Sequence, residues 1–327
     1  MASFAIFVDC LLSMIIYNNI EEVNLLHPVV TIGFFDGLHL GHSTIIDTVI
    51  KKSKKHNTPS LLITFWPHPR LVLGKDADKL RLLSTIEEKQ QLIQSKGVDG
   101  MLTIDFTPEF AKISAHDFLS EILVKKLGAS AIVLGYNHVF GHDGQGDFNL
   151  VKQHQAAFGY EATRVHPVSL NGINVSSTKI RKALKAGNLC LANEMLNRPY
   201  SIAGVIEGGK QIGRSIGFPT ANISPANITK QIPANGVYAV LVDYEKKSYP
   251  AMLNIGVKPT IGDGLKRTIE AHIIGFNKNI YSQKINIRFI KKIREEQKFE
   301  SLSALQAQLI ADKKTVLRTL THKNQLI

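Results

Sequence analysis

The chain is poor in cysteine, with only Cys10 and Cys190 among 327 residues. Two thiols so far apart carry no disulfide framework, and a reducing cytoplasm is the expected setting. Also missing is any apolar run of the roughly 20 residues that a membrane helix needs. The first sixteen residues are largely apolar, but Asp9 interrupts them and no basic residue precedes them. They are expected to be neither signal nor anchor, and no membrane partner is expected. Met14 opens a more ordinary amino end, MIIYNNIEEV, so residues 1–13 are read as a dispensable extension. Zinc signatures are lacking too, since neither Cys-x-x-Cys nor His-Glu-x-x-His occurs. One apparent P-loop fails: GVIEGGK at 204–210 is followed by Gln211 where Ser or Thr would hold magnesium. Gly213, Gly217 and Pro219 then forbid the helix that makes such a loop an anion site. It is read as a strand end and turn.

What is present fits a soluble globular protein, with 44% hydrophobic and 20% charged residues in a length sufficient for two cores. The net charge of +12 could serve nucleic acid, an anionic surface or polyphosphates, or could be a solvated lysine surface. Basic runs are short, Lys51 to Lys55 and Lys291 to Arg294, with no aromatic interleaving. No nucleic-acid partner is expected.

The most informative stretch is VVTIGFFDGLHLGH, residues 29–42. Its apolar start reads as a buried strand, and Ile45, Ile46, Val49 and Ile50 then recur at helical spacing. His39 and His42 therefore fall in the turn that joins a parallel strand to its crossover helix, at the sheet edge where ligands gather. Unpaired N–H groups and the positive helix end favour phosphate there, and Gly37 and Gly41 allow close approach. Two histidines beside such a turn suit stabilisation of a phosphorus under attack. On spacing alone, zinc ligation or plain surface exposure stays open.

Strand and helix alternate onward through 60–66, a helix near 84–96, and strand 98–106. A helix from about Ala115 to Lys126 with Ser114 as cap and strand 130–135 follow, an order that predicts a parallel sheet of four strands so far. The glycine-dense loop GYNHVFGHDGQGD leaves the last strand, and a new helix is predicted near Phe148. NVSSTKIRKAL, 174–184, places hydroxyls before a helix that carries Lys179 and Arg181, an arrangement able to cradle polyphosphate or simply to cap the helix. Helical character is read as fading through GNLCLANEMLNRPY, and a boundary falls near residue 198. Beyond it, runs at 200–206, 236–244, 249–257, 267–275 and 280–290 predict a small antiparallel barrel. A closing helix from Ser301 is expected to place Leu302, Leu305 and Leu309 on one face. Within GRSIGFPTAN, 213–222, Thr220 and Asn222 offer oxygens on one strand face, as a hard cation prefers. Glu270, in the otherwise apolar RTIEAHIIGF, is the carboxylate placed to take a proton from an attacking alcohol, with a rim pair to Arg267 as the alternative.

Four motifs in order, GFFDGLHLGH, GYNHVFG, SSTKIR and GFPTAN with its Glu-x-His strand, resemble the bifunctional riboflavin kinase and FAD synthetase family over about residues 27–313. The resemblance implies a Rossmann-like α/β nucleotidyltransferase domain, 1–198, and a Greek-key-like all-β barrel with a carboxyl-terminal helix, 199–327. It implies that the barrel phosphorylates riboflavin to FMN and the first domain joins FMN to the AMP part of ATP, releasing pyrophosphate. His39, His42 and Glu270 become the catalytic residues. ATP and its phosphates fall to Gly33, Phe35, Asp36, Gly37, Gly41, Ser177, Thr178, Arg181, Gly217 and Thr220. Asn137, Phe140, Arg294 and Phe299 are implied flavin contacts, and Thr220 and Asn222 hold Mg²⁺. His138 stands where the family carries an aromatic. Rivals are a nucleotidyltransferase for another phosphorylated small molecule and, from a different class, a basic nucleic-acid-binding protein.

Overall fold

The computed structural model describes residues 14–74, 80–208, 216–259 and 265–324. Residues 1–13 and 209–215, which include the amino extension and parts of GVIEGGK and GRSIGFPTAN, lie outside the described residues. The chain divides into two compact units, one of residues up to Leu80 with Ser84–Val175, the other of Arg81–Leu83 with Ser176–Ile327.

The first unit is built on a parallel sheet of six strands: β1 (Ile15–Tyr17), β2 (Val29–Ile32), β3 (Ser60–Trp66), β4 (Gly100–Asp105), β5 (Ala131–Gly135) and β6 (Glu161–Val165). Their order is β1-β4-β3-β2-β5-β6, and a short antiparallel pair, β7 (Ser169–Leu170) and β8 (Ile173–Asn174), follows β6. After β2 the chain builds β3 and β4 to one side, then returns to place β5 on the other side of β2, so the order reverses between β2 and β5. Val30 pairs with Leu61 on one side and Ile132 on the other. All three are fully buried, which is why these central strands read as continuous apolar runs rather than as alternation. Burying each such side chain contributes about 1.5–3 kcal/mol.

Helix α1 (Leu40–His56) crosses from β2 and buries Ile46 and Val49. A short α2 (Pro69–Val72) follows β3, and α3 (Ile86–Gln94) starts with a capping box in which Thr85 and Glu88 exchange bonds. The helix expected at 115–126 begins as α4 (Ala115–Asp117) with Ser114 as its cap, then continues as a π-helix, Phe118–Lys126. That wider winding buries Phe118, Leu119, Ile122 and Leu123. Helix α5 (Phe148–Phe158) is capped by Asp147. The two strands of this sheet not foreseen, β1 and β6, are its edges. The first is three residues long with Ile15 and Ile16 exposed, and the second, EATRV, is mostly polar, so neither shows the apolar run that marks a central strand.

The second unit opens with α6 (Ser177–Lys185), capped by Ser176. A helix α7 (Leu189–Leu196), capped by Asn188, occupies the stretch where helical character was read as fading; it buries Leu189, Ala192, Met195 and Leu196, and a helix this short depends on such burial rather than on local propensity alone. Six strands then close a barrel: β9 (Tyr200–Glu207), β10 (Ala221–Pro225), β11 (Gly236–Tyr244), β12 (Lys247–Pro259), β13 (Leu265–Ile273) and β14 (Lys284–Arg294). Around it the order is β10-β13-β12-β11-β14-β9. The run β11-β12-β13 is a meander and β14 returns beside β11, which is a Greek key. β10 is the strand absent from the expected set of five, because its ANISP sequence is short and ends in proline. Helix α8 (Leu302–Asn324) covers one flank, where Ala239, Met252 and Ile290 pack with its Val316 and Leu320. The docked face thus runs through Leu309, Val316 and Leu320, while Leu302, in the first turn, is exposed rather than on that face.

Gly141, after β5, has φ +74° and ψ 179°, a region open to glycine alone. A Cβ there would lie 2.5 Å from the Ala115 Cα. Gly141→Ala should therefore destabilise the first unit by at least about 2 kcal/mol, read from its urea unfolding midpoint by circular dichroism.

Candidate active sites

In the first unit the chain leaves β2 at Gly33, whose N–H donates to the Ile63 carbonyl at 3.0 Å. The following turn takes positive φ at Phe35 (47°), Gly37 (78°) and Leu38 (36°). Two side chains normally confined to negative φ are therefore held in a costly conformation. What holds them is Asp36. Its buried carboxylate accepts the Ser84 N–H at 3.0 Å and lies 3.4 Å from the Ser84 hydroxyl, which itself accepts the Gly37 N–H at 3.0 Å. The sequence grouped Asp36 with the phosphate contacts; its carboxylate ties the turn to the start of α3.

His39 is the N-cap of α1, with Nδ1 accepting the His42 N–H at 3.3 Å. A neutral His39 then carries its proton on Nε2. The His39 and His42 rings stack with centroids 3.7 Å apart, and Phe35 meets His42 edge-on at 5.3 Å. Gly33 and Gly41 leave room for these rings, since an added Cβ would lie 3.1 Å from Phe35 and 3.2 Å from His39. Burial, the neighbouring His39, Lys89 and His138 all push the His42 imidazole well below its usual pKa, burial most. Burial likewise brings His138 down to about 4. Both rings are neutral at physiological pH, and two of their nitrogens, His42 Nδ1 and His138 Nε2, are buried with no hydrogen-bond partner. Leaving such an atom unpaired costs about 1–3 kcal/mol.

His138 reaches His42 from the loop after β5, which puts the two glycine-rich segments on either side of the point where the strand order reverses. Phe140 in that loop is buried against Phe118, centroids 5.7 Å apart, while Asn137 is exposed. Phe34 packs against His68, 4.9 Å between centroids, a pairing that sequence reading did not find. Nor did it find Lys89, because a lysine in a helix reads as solvated. Ser177 and Thr178 lie in the first turn of α6, with Arg181 one turn on.

In the barrel, β10 pairs with β13 so that Asn222 stands opposite Glu270. Arg267 donates to Asn235 and to the Pro233 carbonyl, which is not the rim pair with Glu270 that the sequence left open. Thr220, Asn254, Glu270, His272, Arg294 and Phe299 are among the residues lining a cavity of about 270 Å³. His272 Nδ1–H donates to the Pro219 carbonyl at 2.8 Å and so fixes the residue before Thr220. Arg294 forms a fork on Asp312, Nη2 to Oδ2 at 2.7 Å and Nε at 3.0 Å, with its guanidinium 5.9 Å from the Phe299 ring. Gly217 has φ +81° and open space around it.

Family models match both units, FAD synthetase over residues 22–179 and riboflavin kinase over 196–320. A bifunctional riboflavin kinase/FMN adenylyltransferase of Escherichia coli (strain K12) is 35% identical over 289 residues, 88% of this chain and 91% of that protein. The chain belongs to the bifunctional riboflavin kinase/FMN adenylyltransferase family. A relative of the same description from Buchnera aphidicola subsp. Schizaphis graminum is 38% identical over 299 residues, 90% of this chain and 94% of the other. The chain is also similar to a solved structure described as a macrolide-efflux protein from Streptococcus pneumoniae, with TM-score 0.85, 30% identity, and coverage of 93% of this chain and 98% of that one. Among the described residues, no helix is long and apolar enough to cross a membrane.

The Arg294–Asp312 fork is the mainly buried ion pair of the cavity wall, with side-chain exposures of 20% and 5%. Removing the carboxylate strands a guanidinium in a poorly hydrated place. Asp312→Ala should cost the barrel about 3 kcal/mol, seen as a lower urea midpoint, and an unchanged midpoint would mean that Arg294 finds water or another partner.

Proposed function

We propose that this enzyme divides the two reactions of its family between its two units, with riboflavin phosphorylated in the barrel and FMN adenylylated at the β2–α1 turn. The observation that carries this is the pairing of Asn222 with Glu270, which lines the barrel cavity, together with a histidine-bearing turn at the reversal of strand order in the parallel sheet of the other unit. Each is a site that phosphate chemistry needs, and each has its own matched family model.

In the barrel, the primary hydroxyl of riboflavin attacks the γ-phosphorus of ATP. Glu270 accepts the hydroxyl proton as the new P–O bond forms and the bond to ADP breaks. Thr220 and Asn222 face the phosphates. A hydroxyl and an amide oxygen opposite a carboxylate form an all-oxygen set that suits Mg²⁺ rather than a softer metal. Among the described residues no three His, Cys, Asp or Glu side chains could hold a metal by themselves. The ion, when bound, neutralises phosphate charge. Arg294 and Phe299 close over the flavin, and Gly217 lets the ATP phosphates approach the backbone.

At the turn, a phosphate oxygen of FMN attacks the α-phosphorus of a second ATP, the α–β bridge breaks, and pyrophosphate leaves. His39 and His42 donate to the α-phosphate oxygens as charge develops, with the glycine N–H groups of the turn beside them. Gly33, Phe35 and Asp36 shape this cradle, and Asn137 and Phe140 border the flavin. No covalent enzyme intermediate is needed. A cytoplasmic place of action is part of this proposal.

The test uses the full chain with riboflavin and Mg-ATP, separating flavins by chromatography. His42→Ala should lower FAD formation from FMN by roughly a hundredfold to a thousandfold and leave FMN formation intact. Glu270→Gln should do the reverse, lowering FMN formation by roughly a hundredfold to ten-thousandfold while supplied FMN still becomes FAD. A single substitution that stops both reactions in a folded protein would refute the division.

A further inference from the structure

Beneath the β2–α1 turn lies a charged group that the chemistry above does not use. Lys89 is on α3 with only 4% of its surface exposed, although a lysine in a nine-residue helix has every opportunity to point outward. Its ammonium donates to Thr64 Oγ1 at 3.2 Å, and Thr64 is itself fully buried on β3, next to Ile63, whose carbonyl receives the Gly33 N–H. The lysine head is thus held at the level where the chain leaves the sheet for the turn. Its opposite charge is Asp36, which favours the charged lysine against the cost of burial.

Packing alone gives little reason to keep a lysine here, since a buried ammonium is costly to desolvate and Lys89 uses one hydrogen bond, to Thr64, among the described residues. The carboxylate above it gives a reason. Asp36 locks the turn through Ser84, yet a buried negative charge under a phosphate site repels the substrate through a poorly screening medium. We propose that Lys89 is a positioning residue for adenylyl transfer, cancelling the charge of Asp36 so that the carboxylate can fix the turn without repelling ATP, and giving the neighbourhood of His42 a positive field. This inference rests on the reading of the turn as the adenylyl-transfer site. The charged or titratable groups around His42 are His39 in the turn, Lys89 on α3 and His138 in the loop after β5, with Asp36 facing Lys89.

Burial has pulled Lys89 down to about 8. It is therefore charged at pH 7 and loses its charge as pH rises through about 8, so kcat/KM of FAD formation for ATP should fall along that limb. Two substitutions separate charge from packing. Lys89→Met should lower kcat/KM for ATP by roughly tenfold to a hundredfold, flatten the limb near pH 8, and raise the titration midpoint of the His42 ring seen by NMR, because a like charge has gone. Its riboflavin phosphorylation should stay at the wild-type value, while its melting temperature falls because the buried Asp36 loses its counter-charge. Lys89→Arg should retain activity and shift the limb beyond pH 9, since guanidinium stays charged. A folded Lys89→Met enzyme with wild-type FAD kinetics and the same limb near pH 8 would overturn the inference. If the arginine variant fails to fold, the pH profile of the methionine variant decides alone. His42→Ala run in parallel separates the two claims: loss of FAD formation there with none in Lys89→Met sinks the role of Lys89, whereas no loss in either sinks the reading of the turn.

Discussion

A buried carboxylate must be given partners, and in the first unit that requirement shapes the whole edge of the sheet. Among the described residues, Ser84 presents an N–H and a hydroxyl to Asp36, and Lys89 supplies an opposite charge. Meeting that demand pins the turn to α3. The pin in turn makes it possible for Phe35 and Leu38 to sit at positive φ, a conformation that costs about 1–2 kcal/mol for each side chain that bears a Cβ. With the turn so bent, His39 can cap α1 and His42 can stack on it. Each step is inexpensive once the previous one is in place, and none is available without the first.

The barrel answers a different constraint. A Greek key of six strands must bring β10 against β13 to close, and closure is what sets Asn222 opposite Glu270. The register is fixed because a slip of one residue would turn Ile223, Ile269 and Ala271 from the interior to the outside. Once closed, the wall is trimmed by polar bonds that reach along it. His272 holds the Pro219 carbonyl, Asn254 and Asn235 hold the Glu296 carboxylate, and Arg294 forks onto Asp312. Gly256 is needed where Glu296 lies over the backbone, since a Cβ there would overlap its carboxylate.

Much of this was legible in the sequence, and the exceptions share a cause. Central strands and the β2–α1 turn announce themselves because burial on both faces demands unbroken apolar runs and a phosphate turn demands glycines. Edge strands β1 and β6 answer to neither demand, and β10 is too short to show a period. α7 is held by burial that a local reading does not see. Leu302 has the helical spacing of the α8 apolar face but lies a turn beyond where that face meets the barrel. Lys89 was invisible for a stronger reason: nothing local distinguishes a buried lysine from a solvated one, and its partners Asp36 and Thr64 come from segments far away in sequence. A residue whose significance is a long-range charge balance is found only when the fold brings the charges together.

The histidines show why these hidden features matter to chemistry. At the turn proposed for adenylyl transfer, the His42 imidazole, stacked on His39, is held neutral by burial and neighbouring charges, and its buried Nδ1 has no hydrogen-bond partner among the described residues. An arriving polyphosphate reverses both terms. Its charge raises the imidazole pKa values, and its oxygens offer acceptors to nitrogens that had no partner. The protein therefore keeps at this turn a set of donors that are poorly satisfied without an anion and well satisfied with one. That difference is largest for the species with most negative charge on the oxygens around phosphorus, which is the condition for a site that favours a transition state over a bound substrate.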